Sequence, residues 1–195
     1  MRDPEFNYRF APMRLRELDA EKGDLLVLPL FEDDCPPSGL AGLVDWRMDG
    51  LISRIRVSTL HPDQENPHYR GLVLGPFAAT QDEKLLFPPG RFLSFRMVMI
   101  YGLGKKQRYD GQRYREVVRN LLQTLSGMNA SEVALQLPGW SIAGVPARRA
   151  CDVLLTELVA MKRKGQPVPR DLCFVEDLES QAEMEERIRE ILSGR

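Results

Sequence analysis

Apolar and polar positions along this chain follow two periods, and the changes between them mark out the elements. Residues 25–31 (LLVLPLF) form an unbroken apolar run of strand length, the pattern of a central strand covered on both faces. Pro29 within it carries no amide hydrogen and predicts the strand's end or a bulge. Further strands are predicted over residues 72–77, 85–87, 97–101 (MVMIY), 132–137 (EVALQL) and 171–176. Residues 13–19 (MRLRELD) alternate imperfectly with charge and read as a half-buried edge strand. The clearest helix spans residues 110–128, where Tyr114, Val117, Val118, Leu121, Leu122, Leu125 and Met128 share one face. Asp110 is its expected N-cap and Gly127 its stop signal. A second helix opens after Pro146 and aligns Ala147, Ala150, Cys151, Leu154, Leu155 and Leu158. A third carries Met184, Ile188, Ile191 and Leu192, with capping-box spacing between Ser180 and Glu183. Ser38 and Asp49 are expected to cap two shorter helical stretches.

In the second half, strands alternate with helices long enough to be crossovers. That implies an α/β fold with a largely parallel sheet, made mixed by the edge strand near the N-terminus. Residues 1–6 (MRDPEF) read as translated cloning sites, which leaves residues 7–195 as one domain. The apolar share of 43 % excludes a disordered chain. The net charge of −1 argues against a protein that coats nucleic acid through bulk charge. Cys35, Cys151 and Cys173 show no metal-binding or redox spacing and read as reduced thiols. With no secretion signal and no bilayer-spanning apolar run, the expectation is a cytoplasmic protein without membrane contact.

Four stretches offer chemistry. Gly102-Leu103-Gly104-Lys105 follows a strand but fails the phosphate-loop pattern, because Met99 and Lys106 stand where Gly and Ser or Thr are required. It reads either as a turn or as backbone amides facing a phosphate, with Lys105 as counter-charge. The segment from Trp140 through Ser141 and Gly144 to Pro146 joins a strand to a helix N-terminus, with Arg148 in the first turn. Such junctions face the ligand crevice of open α/β sheets. His61, Asp63, Glu65 and His68 are metal-ligand types, but in a proline-broken loop they read as solvated, and no metal is expected. Residues 105–119 carry Lys105, Lys106, Arg108, Arg113, Arg115 and Arg119 against two acids. This is a candidate nucleic-acid patch or a solvated helix face. No nucleophile constellation stands out.

The succession GDLLVLPLFEDD, SGLAGLVD, FRMVMIYGLGK, a long helix and EVALQLPG resembles the N-terminal domain of the cytosol (leucine) aminopeptidase family, over roughly residues 23–177. The resemblance implies a three-layer α/β/α, macro-domain-like fold. It also implies that peptidase chemistry lies elsewhere. In that family the metal ions, the catalytic Lys and Arg and the N-T-D-A-E-G-R-L motif belong to a separate C-terminal domain, and the motif is absent here. No catalytic residue and no cofactor is therefore expected.

Macro domains that bind ADP-ribose carry an acid at the end of the first strand, which the resemblance matches to Asp19. Hydrolases among them carry Asn where this chain has Pro29-Leu30-Phe31. The preferred expectation is a non-catalytic interaction or assembly module, with a protein partner or a second copy. The alternatives are ADP-ribose or another phosphorylated nucleotide bound between residues 102–105 and 141–146, a DNA-binding regulatory module, or a subunit of a split aminopeptidase.

Overall fold

The architecture was obtained from a computed structural model, which describes residues 6–60 and 76–192. Six strands form one sheet: β1 (Asn7–Pro12), β2 (Lys22–Leu30), β3 (Lys84–Phe87), β4 (Ser94–Gly102), β5 (Glu132–Leu135) and β6 (Asp171–Glu176). Their order is β1-β6-β5-β2-β4-β3. All pairings are parallel except that of β3 with β4. The sheet is thus mixed because of β3, not because of an N-terminal strand.

Helices cover both faces, and the strand alternation decides which side chain goes where. In β2, Leu25 and Val27 join the core beneath α4 (Gly111–Gly127), α5 (Ala147–Arg163) and α6 (Leu178–Leu192). Leu26, Leu28 and Leu30 point the other way, to α1 (Leu15–Ala20), α2 (Gly39–Arg47) and α3 (Leu51–Leu60). The result is the expected three-layer α/β/α arrangement. Cys151 and Cys173 are buried in these cores, and burial pushes both thiols up to about 12.

Several expectations are corrected. Residues 13–19 are not a strand, because Leu15 to Leu18 is a helical i, i+3 spacing and only Leu18 is fully buried. The true edge strand is β1, where Tyr8 and Phe10 pack on one core and Ala11 on the other. Phe6, set aside with the cloning stretch, also packs against the core. Residues 72–75 and the loop holding His61 and His68 lie outside the described residues, and Pro76 and Phe77 are not in a strand. Among the described residues, no helix is long and apolar enough to cross a membrane.

Two of the helix caps are acids that sequence spacing did not single out. Asp110 does accept from the Arg113 amide at 2.8 Å. Ser38 makes no side-chain cap; instead the Leu40 amide of α2 donates to Gln136 Oε1 at 3.1 Å. Asp49 sits at φ 55°, in the left-handed region at the end of α2. The cap of α3 is Asp45, which accepts from the Ser53 amide at 2.9 Å and the Ser53 hydroxyl at 2.5 Å. In α6 the cap is Asp177, accepting from the Ser180 amide at 2.9 Å, so Ser180 is already inside the helix. Asp45→Ala should lower the free energy of urea unfolding by about 1–2 kcal/mol, the cost of a lost helix cap, while Asp49→Gly leaves it unchanged or raises it.

Candidate functional site

The parallel strands end together, so their following loops meet at one edge of the sheet, the edge at which open α/β folds bind ligands. A cavity of about 150 Å³ lies there, lined by Phe31 and Asp34 after β2, Leu103 and Lys106 after β4, and Gln136, Trp140 and Ser141 after β5. Phe31 and Tyr109 meet edge to face at 4.9 Å, and the Tyr109 hydroxyl donates to Pro138 O at 2.6 Å. Gly139 closes on this pair at φ 63°, where a Cβ would stand 2.6 Å from Phe31 Cζ. Only glycine fits there.

The groups that could receive an anion are engaged by the chain itself. The amides of Gly102, Leu103 and Gly104 donate to Glu83 O (2.8 Å), Leu30 O (2.9 Å) and Ala79 O (3.1 Å). Gly102 and Gly104 therefore serve a turn. A Cβ on Gly102 would lie 2.1 Å from Thr80 O, and Gly104 stands at φ 75°. The Lys106 amide donates to Asp33 Oδ2 at 2.8 Å, and its ammonium pairs with Asp34. Lys105 reaches Glu32 at 3.7 Å. Gly144, at φ 65°, donates to Ser141 O at 3.2 Å. Arg148 turns away to Glu190 at 2.5 Å.

Asp19 is not at the end of a strand. It lies in α1, three residues before β2 begins, and accepts from Arg47 Nε at 2.7 Å, at the opposite edge of the sheet from the cavity. Of the proposed ligand residues, the structure brings Ser141 to the cavity, together with Leu103 and Lys106, but not Asp19, Gly102, Gly104, Lys105, Gly144 or Arg148. The candidate nucleic-acid patch is largely neutralised: Lys105, Lys106, Arg113 and Arg119 are each ion-paired within the chain. Arg113 is also drawn into a network with Asp82, which accepts from Tyr101, Arg113 and Asn120.

Sequence reasoning missed two buried groups at this edge. Arg56 of α3 is fully buried and donates to the carbonyls of Ala78 and Glu32, fixing the loop after β2. Glu176, at the end of β6, is 1 % exposed and accepts from the Leu137 amide at 2.7 Å. Burial pushes its carboxyl up to about 8, and hydrogen bonds from Leu137, Trp140 and Gln136 offset this only in part. Neither residue lies in a motif. Their burial comes from long-range packing that no local pattern encodes.

Comparison with known proteins places this geometry. The family model described as the cytosol aminopeptidase family, N-terminal domain, matches residues 70–159. A curated relative, "Probable cytosol aminopeptidase" of Ralstonia nicotianae, is 28 % identical over 148 residues, 75 % of this chain and 25 % of the relative. The chain thus spans about a quarter of that relative's length. Among solved structures, a Trypanosoma brucei macrodomain in complex with ADP is similar with a TM-score of 0.65 and 12 % identity, over 93 % of this chain and 69 % of that one. An Oceanobacillus iheyensis macrodomain variant gives 0.64 and 11 %, over 98 % and 95 %. A tomato leucine aminopeptidase variant gives 0.58 and 14 %, over 96 % of this chain and 36 % of that one. The likeness to the N-terminal domain of the cytosol aminopeptidase family is shown, and the fold is macrodomain-like.

Glu176 yields a test. Its folded-state pKa is raised, so the folded chain holds the proton more tightly than the unfolded chain. The stability this contributes is complete below about 4.5 and is lost as pH rises through about 8. Urea unfolding between pH 5 and pH 8 should show stability falling with pH, and Glu176→Gln should flatten that slope.

Proposed function

We propose that this chain is a non-catalytic interaction or assembly module of the aminopeptidase N-terminal type, whose partner is a protein or a second copy. The observation that carries this reading is the state of the sheet's carboxyl edge. The donors a phosphate would need there are already bonded to Glu83, Leu30, Ala79, Gln136, Asp33 and Asp34. Opening them would leave buried polar groups unpaired, at about 1–3 kcal/mol each. Lys105 and Lys106 are paired with Glu32 and Asp34, so they offer little free positive charge to a diphosphate. The cavity of about 150 Å³ is smaller than the roughly 300 Å³ at which drug-sized ligand pockets begin. The likeness to the N-terminal domain supports the same reading, because the resemblance puts the family's metal and catalytic residues in its other domain.

The second reading is nucleotide binding in this crevice. Its support is the fold it shares with macrodomains solved in complex with ADP and with ADP-ribose, and the place of Ser141 on the cavity wall. DNA binding has less support, with four of its six cations ion-paired.

Light scattering followed by calorimetric titration with ADP-ribose separates the first two readings. The assembly reading expects a discrete oligomer, or a monomer that takes up a protein partner, and no heat of binding. Saturable micromolar binding that Ser141→Glu, on the cavity wall, abolishes in a folded protein would overturn it in favour of the nucleotide site.

A further inference from the structure

α4 and α5 lie side by side on one face of the sheet, and their first two turns leave an open groove of about 360 Å³. It is larger than the carboxyl-edge crevice and shares no residue with it. One side is apolar. Val145 and Val153 line it, together with Tyr114, whose hydroxyl is already given to Ala150 O at 2.9 Å. The other side is cationic. Arg115 comes from α4 and Arg149 from α5, both exposed and both lining the groove.

These two guanidinium groups differ from the cations around them. Arg113 is held by Asp82 and Glu116, and Arg119 by Glu157. Arg115 has no carboxylate partner among the described residues. Arg149 reaches only Asp152 Oδ2, at 3.5 Å, while the other oxygen of Asp152 takes Arg187 at 2.6 Å. Arg115 and Arg149 also line an adjoining cavity of about 120 Å³ with Asp152 and Glu157, but those carboxylates are engaged by Arg187 and Arg119. The two guanidinium groups are thus only partly neutralised, and an anion between them would complete the balance.

We propose that this groove binds a small phosphomonoester carrying an apolar body. A phosphate monoester carries up to two negative charges and three acceptor oxygens, so it can meet two guanidinium groups from different sides with more charge than a single carboxylate brings. The valine wall then takes a ring or short chain. A volume near the lower end of the usual 300 to about 1,000 Å³ range suits one such group. The inference is independent of the assembly reading, since neither arginine lines the carboxyl-edge crevice.

The test is an amide NMR titration of the full chain with phenyl phosphate, and in parallel with inorganic phosphate. Phenyl phosphate should give saturable shifts at Gly111, Gln112 and Arg149 and bind more tightly than inorganic phosphate. Arg115→Gln should weaken it by about tenfold or more, as loss of a charged hydrogen bond does. Arg115→Gln with Arg149→Gln should abolish it, and Arg108→Gln, outside the groove, should leave it unchanged. Absence of saturable shifts, or an equal response in the folded double variant, would overturn the site. Equal affinity for the two probes would overturn the apolar subsite.

Discussion

The parallel pairing of β2 with β4 is the constraint from which the carboxyl edge follows. Leu25 to Leu30 run in register with Met97 to Gly102, so the two strands end at one level. Their loops must then face each other. Leu103 donates to Leu30 O and Glu32 to Gly104 O, both at 2.9 Å, which carries the pairing past the strands. That closeness is why residue 102 is glycine: the backbone of Ala79 and Thr80 passes where a side chain would begin. It also explains the burial of Arg56, whose charge is tolerated because carbonyls from both neighbouring segments accept from it.

A glycine-rich turn after a parallel strand invites a phosphate-binding reading, since amides and strand ends converge there. Whether they can act depends on what already accepts from them. Here Glu83, Leu30 and Ala79 supply the acceptors from within the fold, and Asp33 and Asp34 take the neighbouring lysine. An arriving anion would have to displace bonds made at no cost in association entropy, which is the weaker position for a ligand.

The long elements were legible because one face of each is buried. The 3.6-residue stripe of α4 and the continuous apolar run of β2 are direct consequences of burial on one side and on two. The capping acids were less legible: Asp45 and Asp177 lie one turn from the residues that spacing favours, and only tertiary placement decides among neighbouring polar candidates. Asp19 illustrates the limit for a site. An acid near a strand boundary looks the same in sequence whether it faces the crevice or, as here, closes onto Arg47 at the far edge. Glu176 was legible as a strand residue but not as a buried acid, because its burial is set by β5 and the loop after it, some forty positions away in sequence.

Charge balance shows the same limit. The overall value of −1 hides a partition that only the fold makes visible. Along the carboxyl edge and the solvent side of α4, acids from distant segments neutralise cations almost one for one: Glu32 and Asp34 for Lys105 and Lys106, Asp82 for Arg113, Glu157 for Arg119. A stretch that reads as strongly basic is thereby reduced to a few uncompensated positions. One of these, Arg115, shares a groove with Arg149, which stands 34 residues away in sequence and on the next helix. A net positive run therefore says little about phosphate recognition until each guanidinium has been traced to its partner, and the ones left without a partner are where binding free energy remains available.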